Sequence, residues 1–170
     1  MRNKTSDTVS TVFSYLAIGS LAFLAIGLKD IENYISWIQF SMTMLVAGTA
    51  FALLMYAVLC YFMPDAKAYK NKKGVGLLSP LLFSFTLIFF GGGMLVNESG
   101  YTAMSCNNYV IQQMGKDGFE KAYYIFIHAG DKTERLSFGK AFNEAHHAGD
   151  TISLCIVTGN LGFAYYKIHN

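Results

Sequence analysis

Hydrophobic residues run in three long blocks without a charged side chain or a histidine: Thr8–Leu28, Asn33–Pro64 and Gly74–Asn97. A helix needs about 20 apolar residues to cross the hydrocarbon core of a bilayer. Each block reaches that length. The pattern predicts three transmembrane helices, with spans at about 8–28, 37–63 and 75–96. Thr5, Ser6 and Asp7 are of the types that cap a first helix. Pro64 ends the second helix, because proline cannot continue the hydrogen-bond ladder. Pro80 falls near the start of the third, where proline does least harm.

After residue 97 the pattern changes. Phe119–His128 is aromatic and β-branched and predicts a strand. Ala129-Gly130-Asp131-Lys132 predicts a turn and Thr133–Phe138 a second strand. Lys140–His147 suits a short helix stopped by Gly149. Thr151–Thr158 alternates, with Ile152, Leu154 and Ile156 on one face. Gly159-Asn160 reads as a hairpin turn, and Leu161–Ile168 returns as the partner strand. The expected fold is an integral membrane α-helical protein. Residues 1–97 form a three-helix transmembrane region, and residues 98–170 a small, β-rich α+β domain.

The distribution of charge sets an orientation. Arg2 and Lys4 precede the first block, and Lys67, Lys70, Lys72 and Lys73 lie between the second and third. Short cytoplasmic loops carry the excess of lysine and arginine. The amino terminus and the second loop are therefore expected inside, and the C-terminal domain outside, a cytoplasmic (inner) membrane. Tyr34 and Trp37 suit the outer interface, and Tyr61 and Tyr69 the inner one. Ser20-Leu21-Ala22 loosely resembles a signal cleavage site, but the first block is longer than a signal core, which favours an uncleaved span.

That orientation puts Cys106 and Cys155 in an oxidising space, where an even pair points to a disulfide. Cys60 lies in the second block and reads as an inert core residue. Small residues at Gly19, Gly48, Ala52 and Gly91-Gly92-Gly93 allow close helix packing. They serve the three helices of one chain, and the same faces suit association between copies.

Candidate chemistry is sparse. Coupled transporters place ionisable groups within the bilayer, and the three blocks contain none. His128, His146, His147 and His169 follow no zinc-ligand spacing, so no metal or other cofactor is implied. Ser137, His128 and Asp131 are the residue types of a hydrolytic trio but lack a nucleophile-elbow pattern. Charge in 98–170 is nearly balanced, which argues against nucleic-acid binding. The sequons at Asn3 and Asn97 fall inside the cell and against the bilayer, so neither argues for glycosylation.

The last strand is the most suggestive segment. Alternation puts Phe163 and Tyr165 on one face and Tyr166 on the other, and tyrosine is favoured at binding surfaces. We expect these three to form a protein-binding surface, with Tyr166 outward. The functional expectation is a non-enzymatic, membrane-anchored binding protein. Its most concrete form is an immunity-type inhibitor protecting against an envelope-acting toxin. The alternative is an accessory subunit of a transporter or other envelope complex. Membrane lipid and a protein are the expected partners.

Overall fold

The computed structural model describes residues 4–68, 70, 74–116 and 123–168, without the side chains at 4–7, 9–10, 13–14, 26–27 and 29–30. Arg2, Asn3, Tyr69, Lys72, Lys73, His169 and residues 119–122 of the expected strand lie outside the described residues, as do the side chains of Lys4, Thr5, Ser6 and Asp7. The chain divides into two compact units. The first is Met1–Leu28 with Ser41–Met94, and the second is Lys29–Phe40 with Leu95–Asn170. The cut is not the single one at residue 97. The loop between the first two helices groups with the C-terminal strands, for reasons that its hydrogen bonds make plain below.

The first unit is built from α1 (Lys4–Asp30), α2 (Trp37–Phe62) and most of α3 (Leu78–Glu98). Two of these, α2 and α3, are long and apolar enough to cross a membrane, and α1 contains a shorter apolar stretch, Tyr15–Ala25. The α1 backbone is already helical through positions 5–7, where capping was expected. The α2 helix stops two residues before Pro64, which opens a single 3₁₀ turn. Pro80 sits in the first turn of α3.

Glycines decide how closely these helices approach. A Cβ on Gly48 would lie 2.8 Å from the Thr86 Cα, and one on Gly91 would collide with the Phe23 backbone. A Cβ on Gly93 would meet the Met44 sulfur. Gly48, Gly91 and Gly93 are thus contact points, and Ala52 is fully buried. Gly19 and Gly92 differ from expectation. Among the described residues the space around their built Cβ positions is open within 4 Å, so neither marks a close helix approach there. Ser20 and Ser84 are buried, and each hydroxyl donates to a carbonyl of its own helix, Ala17 O and Pro80 O, at 2.7 Å. Returning the hydroxyl to the helix backbone removes the cost of burying it.

The second unit contains β1 (Tyr101–Lys116), β2 (Tyr123–Ala129), β3 (Lys132–Phe138), α4 (Lys140–Ala145), β4 (Thr151–Gly159) and β5 (Ala164–Ile168). Among the described residues they form one antiparallel sheet in the order β3-β2-β1-β4-β5. The long central β1 pairs with β4 over its first part, Tyr101–Val110, and with β2 over its last, Ile111–Lys116. A bulge between Ile111 and Gln113 marks the change of partner. The sheet curls there into a partly open barrel. Ile111, Ile125, Ile127, Leu136, Ile152, Leu154 and Tyr166 fill the inside, and Phe142 of α4 packs against them.

Two sequence expectations are corrected here, and one element is new. The longest strand, β1, carried no expectation at all. The hairpin turn lies at Asn160–Gly162 rather than Gly159-Asn160, with Gly162 at φ 83° and Gly159 still in the strand. Gly159 is held there because it presses on the Asn97 backbone, where no side chain would fit. The short helix ends at Ala145, before the two histidines.

A candidate recognition cleft beside Arg135

The loop between α1 and α2 organises the second unit. It begins with one 3₁₀ turn, Ile31–Asn33. The Asn33 amide then behaves like a piece of strand. Its Nδ2 donates to Ser137 O at 3.0 Å, and its Oδ1 accepts from Ser137 N at 2.8 Å. Two residues later, Ile35 N donates to Ala164 O at 3.1 Å, and Tyr34 forms a bridge with Tyr165. One short loop therefore satisfies backbone groups on both edge strands, β3 and β5. Unpaired edges expose donors and acceptors that must be covered, and this loop covers part of both.

Beneath the loop lies a buried polar network. Asn97 is fully buried, and its Nδ2 donates to Phe163 O at 3.0 Å and to the Tyr34 hydroxyl at 3.3 Å. Its Oδ1 accepts from Leu161 N at 3.0 Å, and its carbonyl accepts from Asn160 N at 3.0 Å. The Tyr34 hydroxyl donates to Glu98 Oε1 at 3.1 Å. Burial holds the Tyr34 hydroxyl far above the ordinary tyrosine range, and the Glu98 charge adds to it. The Tyr34 ring stacks on Tyr165 at 5.5 Å and lies 4.7 Å from Phe40, which meets Phe163 edge-on at 5.1 Å. The amide of Asn97 is engaged on both sides, so its sequon is sterically closed.

Next to this network a cleft of about 410 Å³ opens to solvent. Ile31, Ile35 and Trp37 supply an apolar wall, while Glu32, Glu134 and Arg135 supply charge. Arg135 is the pivot. Its Nε lies 3.4 Å from Glu32 Oε2, and its guanidinium covers the Tyr124 ring at 4.4 Å. Tyr124 in turn lies against Gly115, and Phe126 meets it at 5.6 Å. Both members of the Glu32–Arg135 pair are more than a third exposed, so the pair adds at most about 1 kcal/mol to stability. Its consequence is positional: with the Tyr124 ring it holds Arg135 in the lining of the cleft.

The expected binding trio is placed differently. Tyr166 is 5 % exposed and belongs to the barrel core, 6.2 Å from Tyr109. Burial, followed by Tyr109 and Glu134, pushes its hydroxyl up to about 12. Tyr165 is buried too, at 7 % exposure, and Phe163 is half-buried against Phe40. The outward orientation expected of Tyr166 is therefore overturned. At Tyr165 and Tyr166 β5 is covered on both faces, by Tyr34 on one and the barrel interior on the other, while Lys167 on the Tyr165 face is exposed. Alternation separates the two faces but does not say that either is wet.

The disulfide is present, joining Cys106 and Cys155, which are direct cross-strand partners on β1 and β4. Cys60 is free and buried. Ser137 and His128 do not meet. Ser137 pairs across the ladder with Tyr124 and His128 with Thr133, and each hydrogen-bonds elsewhere: Ser137 Oγ to Tyr123 O, His128 Nδ1 to the Thr133 hydroxyl. His146 stacks on Phe142 at 4.2 Å, and His147 lies 4.0 Å from Asp150. Among the described residues no three His, Cys, Asp or Glu side chains gather as a metal site.

Sequence reasoning passed over Glu32, Asn33 and Arg135, and marked Trp37 only as an interface residue. No local pattern links a loop at 31–37 to a strand a hundred residues later. The one available signal was two polar side chains, Asn33 and Asn97, bordering long apolar blocks. No protein-family model matches the chain, and no curated protein or solved structure matches it either.

Proposed function

We propose that this chain is a non-enzymatic, membrane-anchored binding protein that offers the cleft beside Arg135 to a protein partner on the outer side of a cytoplasmic membrane. In this reading α1, α2 and α3 each cross the bilayer, the amino terminus is inside, and the strands of the second unit lie outside. The observation that carries it is the cleft, where Trp37, Tyr34 and Arg135 converge. Those are the residue types that dominate binding energy at protein interfaces. Two further observations support the location. Only 11 % of the apolar stretch of α2 and 22 % of that of α3 is buried, unlike the core helix of a soluble protein. The Cys106–Cys155 disulfide fits an oxidising compartment.

An inhibitor of immunity type, blocking a toxin that acts at the envelope, is the most concrete form of this reading. Cells carrying the chain are challenged with envelope-acting toxins, alongside Arg135→Ala and Trp37→Ala variants. Protection that falls at least tenfold in both variants, at equal membrane abundance, supports it. Protection unaffected by either variant refutes the cleft as the site. A reporter active only outside the cytoplasm should work when fused after Asn170 and fail when fused at Lys70; the reverse refutes the orientation. A subunit docking through its helices is the second reading, favoured by the open space beside Gly19 and Gly92 among the described residues. A phenotype that survives deletion of residues 98–170 selects it.

A further inference from the structure

The first ten residues of β1 have one paired edge and one open edge. Tyr101–Val110 pairs with β4 on one side, while β2 reaches β1 only from Ile111 onward. Among the described residues no strand meets the other side of Tyr101–Val110. Every residue from Tyr101 to Asn108 is exposed, with Tyr101 at 63 % and Met104 at 51 %.

Proteins guard such edges with charge, proline, short length or a bulge placed to twist the strand away. From Tyr101 to Met114 there is no charged residue and no proline. Register irregularities bound the stretch, between Tyr101 and Ala103 toward β4 and between Ile111 and Gln113 toward β2, and Ala103–Val110 between them is regular. The stretch is also rigid, because the disulfide ties its centre, Cys106, to β4. A pre-ordered, uncharged edge of this length is a template for a further strand, bound by main-chain hydrogen bonds.

We infer that this edge is an interface between two copies of the chain, with β1 of one pairing antiparallel to β1 of the other. The occupant follows from the residues. A two-fold contact brings a surface against itself, and an uncharged edge meets its own copy without like-charge repulsion. Centred on Ser105, antiparallel self-pairing sets Ala103 opposite Asn107 within the regular run, and at its irregular end brings Thr102 near Asn108 and Tyr101 near Tyr109. Aromatic pairs and neutral polar pairs are favourable cross-strand neighbours. A charged partner segment would find nothing on this edge to match it. This interface is separate from the cleft and from the helix faces, and does not depend on either.

The experiment uses the full chain in its native membrane. Ala103→Cys and Asn107→Cys variants, with different tags, are co-expressed and oxidised. The expected result is a cross-linked heterodimer at least tenfold more abundant than for Ala103→Cys paired with Lys132→Cys, a position on the opposite strand edge of the barrel. Thr102→Lys with Asn108→Lys, which opposes lysines across the two-fold, should abolish the cross-link. The Cys106–Cys155 bond should stay intact in that variant, and its thermal midpoint should match that of Thr102→Val, which removes the same exposed hydrogen bond to Thr158 O without adding charge. A wild-type chain that remains monomeric in nanodiscs at every concentration overturns the inference. So does a dimer that survives the lysine pair, because its contact then lies elsewhere.

Discussion

Replacing Asn97 by alanine tests whether the polar network holds the second unit together. The change removes three side-chain hydrogen bonds: Nδ2 to Phe163 O, Nδ2 to the Tyr34 hydroxyl, and Leu161 N to Oδ1. An intramolecular hydrogen bond contributes about 0.5–1.5 kcal/mol net, and more when a buried partner is left unsatisfied. The contact between Asn97 and Tyr34 is fully buried, whereas the other two are partly accessible to water. The hydroxyl of Tyr34 keeps Glu98 as acceptor, so its loss is partial. The expected destabilisation is about 3 kcal/mol, from three bonds near the middle of that range. Pulse proteolysis of the full chain in detergent, across a urea series, measures it. Asn160→Ala is the control, since that amide makes only exposed contacts to Ser99 and Val96; it should cost about 0.5 kcal/mol or less. Tyr34→Phe combined with Asn97→Ala should cost less than the sum of the single changes, because the two share a bond. An Asn97→Ala variant within about 0.5 kcal/mol of the wild type refutes the network as a structural hub.

Replacing Cys106 and Cys155 together by alanine should destabilise the second unit by about 4 kcal/mol, from the closure entropy of a loop spanning 49 residues; both thiols should alkylate only after reduction, whereas labelling of Cys60 should not depend on reductant. Tyr166→Ala should cost about 3–5 kcal/mol as a core truncation, and Tyr166→Phe much less; near-wild-type stability of the alanine variant would return Tyr166 to the surface. Alkaline titration should unfold the second unit progressively. The Tyr34, Tyr165 and Tyr166 hydroxyls are held above their usual value by burial, Tyr166 at about 12. The unfolded chain therefore loses its protons first: stability is whole below about pH 10 and falls as pH rises from there through the folded values. Thermal midpoints between pH 8 and pH 12 read this directly, and a flat profile contradicts it. Gly91→Ala should separate α1 from α3 and cost about 1–3 kcal/mol, while Gly92→Ala, with open space at its Cβ position, should be tolerated.

Long charge-free blocks made the helices legible, because the length and apolarity of such a segment are properties of the segment itself. The α2 and α3 boundaries fall within three residues of those expected at each end. Strand β4 was legible for a similar reason: one face fills the barrel, so burial imprints an alternation on the sequence, while β2 showed in its aromatic and β-branched residues and β3 in the turn before it. The cysteine pair was visible once charge had assigned a compartment.

Strand β1 was invisible because nearly all of its first ten residues are exposed. With neither face buried there, no alternation is selected, and the Asn, Gln and Gly it carries read as loop. Tyr166 was misplaced for the opposite reason, because Tyr165 and Tyr166 are buried on opposite faces of β5 and alternation cannot say whether either one meets solvent. Asn33, Asn97 and Arg135 could not be found locally at all. Their partners Ser137, Phe163 and Glu32 lie 66 to 104 positions away for the two asparagines and on a different element for the arginine. Sequence determined the helices and those strands whose burial leaves a local signature, since that signature depends on neighbours along the chain. Tertiary structure alone decided which polar groups meet, because a hydrogen bond depends on distance in space, and the curl of the sheet brings its two edge strands to one loop.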